Sequence, residues 1–156
     1  MAQASPSPSR GRDSQREADL GIVDALAQLS FLVQGTLVRH AATHDLSMIQ
    51  TQLLGVLRDR VPTMQELARL LELDKSSVTG LVDRAERRGL VKRTPSIDDR
   101  RAVGVNLTSS GRRVVGDVVG AFQADIASAT QCLSVAEKKQ LSTLATRIVS
   151  EYGPSA

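Results

Sequence analysis

The sequence contains no tryptophan, one tyrosine and two phenylalanines, so aromatics make up 2% of it. A core built from this chain must consist mostly of Leu, Val, Ile and Ala, a palette that favours helices. Cys132 is the only cysteine, which excludes an intrachain disulfide and makes a reducing cytoplasm the expected compartment. No uninterrupted apolar run reaches the length of about 18 residues that marks a transmembrane helix, so no membrane partner is expected. The opening "MAQASPSPSRGRDSQRE" has no apolar h-region and does not read as a secretory signal. Its Ser, Pro and Arg content predicts a disordered arm over residues 1–15, in which Arg10 and Arg12, with Arg16 just beyond, are candidate phosphate contacts. There is no H-E-x-x-H, no G-x-S-x-G and no phosphate-binding glycine loop, and only two histidines. Catalysis is therefore not expected, and no cofactor is called for.

The 156 residues suit one domain with appended helices. Their formal charge of +3 is unevenly spread. Between Lys75 and Arg113 there are ten Lys or Arg against four Asp or Glu, a local excess of six positive charges that leaves the remainder net negative. A basic middle between weakly acidic ends is suited to a polyanion.

Helix starts are legible as capping boxes, in which Ser or Thr and a Glu or Gln three residues later each satisfy a free backbone N–H. The pairs are Ser14/Glu17, Ser47/Gln50, Thr63/Glu66 and Ser134/Glu137. They predict helices over residues 16–43, 48–60, 64–71 and from 135 onward. The first would turn Val23, Leu26, Ala27, Leu29, Ser30, Val33 and Leu37 toward one broad face. The last would turn Leu141, Leu144, Ala145 and Ile148 inward. Asp74 would cap a helix over residues 75–88 ended by Gly89, and Thr108 a long one carrying Val115, Val118, Val119, Phe122, Ile126 and Ala129. "LVKRTP" and "AVGVNLT" read as two strands of a hairpin tipped by Asp98, Asp99, Arg100 and Arg101. The expected fold is mainly α, with six helices and one β-hairpin.

The helix after Asp74 has Val78, Leu81, Val82 and Ala85 on one stripe. Its other face carries Ser76, Ser77, Thr79, Gly80, Asp83, Arg84 and Arg87. Short hydroxyls at a helix start allow close approach to bases and phosphates, and the free N–H groups there favour phosphate oxygen. Lys75 and Arg84 can reach guanine edges or the backbone. Asp83 fits better as the orienter of an arginine than as a group facing DNA. Arg100 and Arg101 on the hairpin can enter an adjacent minor groove, with Asp99 orienting one of them. An isolated helix of this kind would be a solvated surface; the order helix, tight turn, polar-tipped helix, basic hairpin makes it a candidate for duplex DNA. A winged-helix module for protein partners is the rival reading.

The blocks "DKSSVTGLVDRAERRGLVKR" and "DDRRAVGVNLTSSG" resemble the MarR family of winged helix-turn-helix transcription factors. The pattern D-R-R and then L-T-x-x-G falls on Asp99, Arg100, Arg101, Leu107, Thr108 and Gly111. The family's common Asp-Pro wing opening is replaced by Ser96 and Ile97, with proline earlier at Pro95. The resemblance extends over residues 18–152. It implies a winged domain over residues 47–111, held between dimerisation helices at 16–46 and 112–152 in a homodimer. Two recognition helices about one DNA turn apart would then read a pseudo-palindromic operator. Gly116 and Gly120 could permit close helix contact between copies.

The resemblance also implies a cleft for a small-molecule effector between the two parts, bordered here by His40, His44, Met48 and Gln52. His40 and His44 are spaced i, i+4, as two zinc ligands would be, but no third ligand is evident, so no metal site is assigned. Cys132 has no adjacent basic residue to activate it and is expected to be a packed thiol rather than a redox sensor. The expectation is a cytoplasmic, ligand-responsive regulator, most simply a repressor, with a metal- or redox-responsive regulator as the alternative.

Overall fold

A computed structural model describes residues 20–95 and 103–152. Its elements run α1 (Ile22–Ala42), α2 (Met48–Val56), α3 (Met64–Leu70), α4 (Lys75–Arg87), β1 (Val91–Pro95), β2 (Val103–Leu107), α5 (Ser109–Ala129) and α6 (Val135–Tyr152). The strands pair antiparallel, with Val91 opposite Leu107, Arg93 opposite Val105 and Pro95 opposite Val103. A bridge from Thr63 to Gly104, with the Val105 N–H donating to the Pro62 carbonyl at 2.9 Å, adds the α2–α3 connection to the hairpin's edge.

The caps fall where the spacing places them. Ser47 and Thr63 each accept from the backbone three residues on and are answered by Gln50 and Glu66. Ser134 and Glu137 form the same reciprocal pair. Gly89 follows α4 at φ +67°, a conformation glycine adopts without a Cβ penalty. Four boundaries or faces differ from expectation. Within the described residues α1 begins at Ile22, after Gly21 and without a side-chain cap; Ser14, Glu17 and the arm at 1–15 lie outside them. The second helix ends at Val56 and gives way to a turn at Leu57–Asp59.

The core is centred on the winged segment. Leu53, Leu67, Val78, Leu81, Val82, Val91 and Val105 are fully buried, and the α4 stripe is completed by buried Ala85. The long helices are different. On the expected face of α1 only Val33 and Leu37 are half-buried, while Val23, Leu26, Ala27, Leu29 and Ser30 are exposed. Leu141, Leu144, Ala145 and Ile148, expected inward, are exposed too: among the described residues α6 buries no side chain. Cys132 is likewise exposed rather than packed. By length and composition α1 could cross a bilayer (mean hydropathy 1.2), although no single apolar run shows it. Its C-terminal half instead packs on α5, and Asp24, Gln28 and Arg39 interrupt its length.

The α4–β1 and β2–α5 connections meet at one backbone junction. The Thr108 N–H donates to the Leu90 carbonyl at 3.0 Å, its hydroxyl donates to the Gly89 carbonyl at 2.6 Å, and the same oxygen accepts from the Gly111 N–H at 3.0 Å. A Cβ on Gly111 would lie 2.0 Å from the Leu90 carbonyl oxygen. Gly111→Ala is therefore expected to destabilise the fold by about 3 kcal/mol, the upper range for overpacking, read as a lower urea midpoint. A midpoint equal to wild type would mean that the junction yields.

Hydrogen bonds from Thr63 hold the Glu66 carboxyl below its ordinary value of 4.5, first through the backbone N–H and then through the hydroxyl. A carboxylate depressed in this way contributes stability above its unfolded value and loses it as pH falls through the folded one. Glu66→Gln keeps an acceptor for the box but cannot titrate, so the variant is expected to show a shallower fall in melting temperature than wild type between roughly pH 5 and 3. Parallel curves would remove Glu66 from the acid response.

Candidate nucleic-acid interface

Burial of one α4 stripe dictates what the other side presents. Lys75, Ser76, Ser77, Thr79, Arg84 and Arg87 are exposed and Gly80 is half-buried. Gly80 serves Arg84: a Cβ there would approach the Arg84 guanidinium to 3.3 Å, so the arginine lies back along the helix over the glycine. The hydroxyls are already engaged. Ser76 and Ser77 each donate to the Asp74 carboxylate at 2.6 Å, and Thr79 donates to the Lys75 carbonyl at 2.8 Å. The Ser77 N–H also donates to Asp74, at 2.9 Å.

The Asp74 carboxylate caps α4 as expected, at the helix start whose free N–H groups favour phosphate oxygen. The hydrogen bonds from Ser76 and Ser77 hold Asp74 far below the ordinary carboxylate range, so it stays charged at any working pH. The hydroxyl oxygens of Ser76 and Ser77 are left as acceptors, for instance for a base amino group. Lys75, Arg84 and Arg87 are the exposed cations of this face.

Asp83 does hold an arginine, and it is Arg93 on β1. Arg93 Nη2 donates to Asp83 at 2.6 Å, Nη1 donates to Glu86, and the Arg93 N–H donates to Glu86 at 3.2 Å. These bonds to Asp83 and then Glu86 raise the guanidinium above its ordinary value. Asp83 and Glu86 sit i, i+3 on the α4 flank that faces the hairpin, so this network locks the wing's base to the helix. The sequence offered the i, i+3 acid pair as a signal, but not its partner. Arg88 was missed as well: it donates to the His44 and Asp45 carbonyls, each at 2.7 Å, and so ties the end of α4 to the α1–α2 corner. Asp98, Asp99, Arg100 and Arg101 lie outside the described residues.

Of the four residues assigned to an effector cleft, the structure brings one to a cavity. A cleft of about 340 Å³ lies between α1, α2 and α5, lined by Gln52 together with Leu37, Leu54, Val115, Val119 and Phe122. His40, His44 and Met48 do not line it. His40 Nε2 is 2.9 Å from Asp125 on α5, a contact that lowers the Asp125 carboxyl and pins the two helices together. Among the described residues no three His, Cys, Asp or Glu side chains are grouped to hold a metal ion.

Residues 44–102 match the family model described as "MarR family". The chain is 31% identical over 118 residues to the transcriptional activatory protein BadR of Rhodopseudomonas palustris, covering 73% of this chain and 67% of BadR. The chain belongs to the MarR family. A second relative, the transcriptional repressor NicR of Pseudomonas putida, is 33% identical over 104 residues; that match spans 62% of this chain and 66% of NicR, just under two thirds of its length. Among MarR-type folds, RV1404 from Mycobacterium tuberculosis superposes with a TM-score of 0.73 at 28% identity, covering 86% of this chain and 94% of RV1404. A MepR variant from Staphylococcus aureus bound to an oligodeoxyribonucleotide superposes at 0.61 with 21% identity, over 85% and 99% of the two chains. Winged-helix architecture is common to the set.

Arg93→Gln removes the charge that Asp83 and Glu86 share while keeping a similar length. The wing should then loosen from α4, and affinity for a bound duplex should fall about tenfold, within the range of losing a charged hydrogen-bonded partner. Fluorescence anisotropy against a cognate duplex checks this; unchanged affinity would show the network irrelevant to the interface.

Proposed function

We propose that the chain is a cytoplasmic homodimeric regulator that binds a pseudo-palindromic duplex and represses transcription until a small molecule binds. The observation that carries the DNA-binding part is α4. Its apolar stripe is fully buried, its hydroxyl- and arginine-bearing face is exposed, and a hairpin stands fixed beside it. The naming of NicR as a repressor and the MepR–oligodeoxyribonucleotide complex favour the same reading. In it, Lys75, Ser76, Ser77, Thr79, Gly80 and Arg84 face the major groove, and Arg100 and Arg101 the minor groove with Asp99 as their orienter.

The homodimer is supported by apolar surface that the described residues leave uncovered. Ile22 is 72% and Val23 76% exposed on α1, and Leu141, Leu144 and Ile148 are all more than 40% exposed on α6. Contiguous faces of this kind mark association sites, and a two-fold pairing of α1, α5 and α6 covers them all at once. An effector acts by preferring the lobe spacing that does not fit the operator, and the Arg88 link gives α4 a mechanical tie to α1.

Selection of bound sequences from random duplex DNA, followed by anisotropy titration, tests the reading. A two-fold-symmetric site is expected, with affinity falling steeply as salt rises from roughly 50 to 200 mM. Arg84→Ala and the double variant Arg100→Ala/Arg101→Ala should each lose about tenfold or more while sedimenting as the wild-type dimer. A flat salt response with no enriched sequence would replace DNA with a protein partner, and a monomer at micromolar concentration would remove the two-fold geometry.

A further inference from the structure

The cleft between α1, α2 and α5 has a charge character that its family membership does not specify. Among the described residues Arg58 is its only charged lining residue. That guanidinium is already engaged: its Nε lies 2.9 and 3.1 Å from the two Asp59 carboxylate oxygens, and its Nη2 lies 2.7 Å from one of them. The remaining polar lining consists of Thr51, Gln52 and Gln123, which are neutral donors and acceptors. The volume of about 340 Å³ sits at the low end of small-molecule sites. An anion entering such a cleft loses hydration against apolar walls and meets a cation whose charge is already shared with Asp59. A neutral molecule of the same shape loses far less and still meets the two glutamine amides.

We propose that this cleft takes an uncharged, largely apolar small molecule and discriminates against an anion of the same shape. The proposal rests on the reading of the chain as a ligand-responsive regulator and names the chemical class of its effector. Pairing within the protein makes Asp59 a specificity-determining residue without contact to the ligand, since it withdraws the one cation that would welcome an acid. Gly55 sets the room available: it lines the cleft, and nothing lies within 4 Å of where its Cβ would be.

Two dyes sharing one skeleton test this on the full-length protein: neutral N-phenyl-1-naphthylamine and anionic 8-anilinonaphthalene-1-sulfonate, both fluorescent when taken out of water. Saturable binding of the neutral dye is expected, about tenfold or more tighter than the sulfonate. Gly55→Leu, whose side chain enters open space, should weaken the neutral dye by about tenfold. Asp59→Asn frees Arg58 and should strengthen the sulfonate several-fold without altering the neutral dye. Equal or tighter binding of the sulfonate by wild type overturns the proposal, as does neutral-dye binding that Gly55→Leu leaves intact, since the dye then sits on the open faces of α1 or α6. Adding the neutral dye to a preformed protein–DNA complex is a separate arm. Dye bound in the cleft with DNA retained sinks the ligand-responsive reading and leaves the selectivity of the cleft standing.

Discussion

The exposed chemistry of this chain depends on burial of the α4 stripe. Val78, Leu81, Val82 and Ala85 are almost completely removed from solvent, and each valine or leucine so buried contributes roughly 1.5–3 kcal/mol. A helix held by one side along its whole length cannot rotate, so the identity of the opposite face is fixed to within a fraction of a turn. The hairpin and the α3 turn complete the socket through Val91, Val105 and Leu67. The Gly89–Leu90–Thr108–Gly111 junction then closes the segment into a unit whose two entry points, from α2 and into α5, are rigidly spaced.

Over that packed base runs a layer of polar bonds that sets aim rather than stability. Exposed ion pairs add only about 0–1 kcal/mol each, yet Arg93 spans two helix carboxylates and a strand, which fixes the hairpin relative to α4. Asp74 does the same for the hydroxyls of Ser76 and Ser77. In both places an acid within a basic face does not simply repel a polyanion. It spends its charge on a neighbour and thereby chooses which groups are left to face outward. Asp59 acts on Arg58 by the same logic at the cleft.

The long helices follow a different rule. A short helix in the winged segment satisfies its apolar face within the subunit, whereas α6 satisfies none of its own and α1 only part. The His40–Asp125 contact and the cleft lie where α1 and α5 do meet, so the part of α1 that is packed is the part that borders the cavity. Arg88 joins that same corner, beside the cavity, to the end of α4 through two backbone carbonyls.

Local pattern was readable wherever a residue's role is settled by its near neighbours in the chain. The caps at Ser47, Thr63, Asp74, Thr108 and Ser134 and the glycine at 89 rest on interactions within a few residues, and the α4 stripe and the two strands show in the apolar spacing. Inward and outward on α1 and α6 could not be read the same way, because an apolar stripe specifies that a partner exists and not whether it belongs to the same subunit. The sequence by itself thus determined the order of elements, their starts and the polar tip of α4. Only the tertiary structure decided that Asp83 and Glu86 hold Arg93, that Arg88 reaches His44 and Asp45, and that Gln52 rather than His40 lines the cleft. The Arg88 pairing joins residues 44 positions apart and the His40–Asp125 contact residues 85 apart, and such contacts are chosen by how packed helices bring their flanks together.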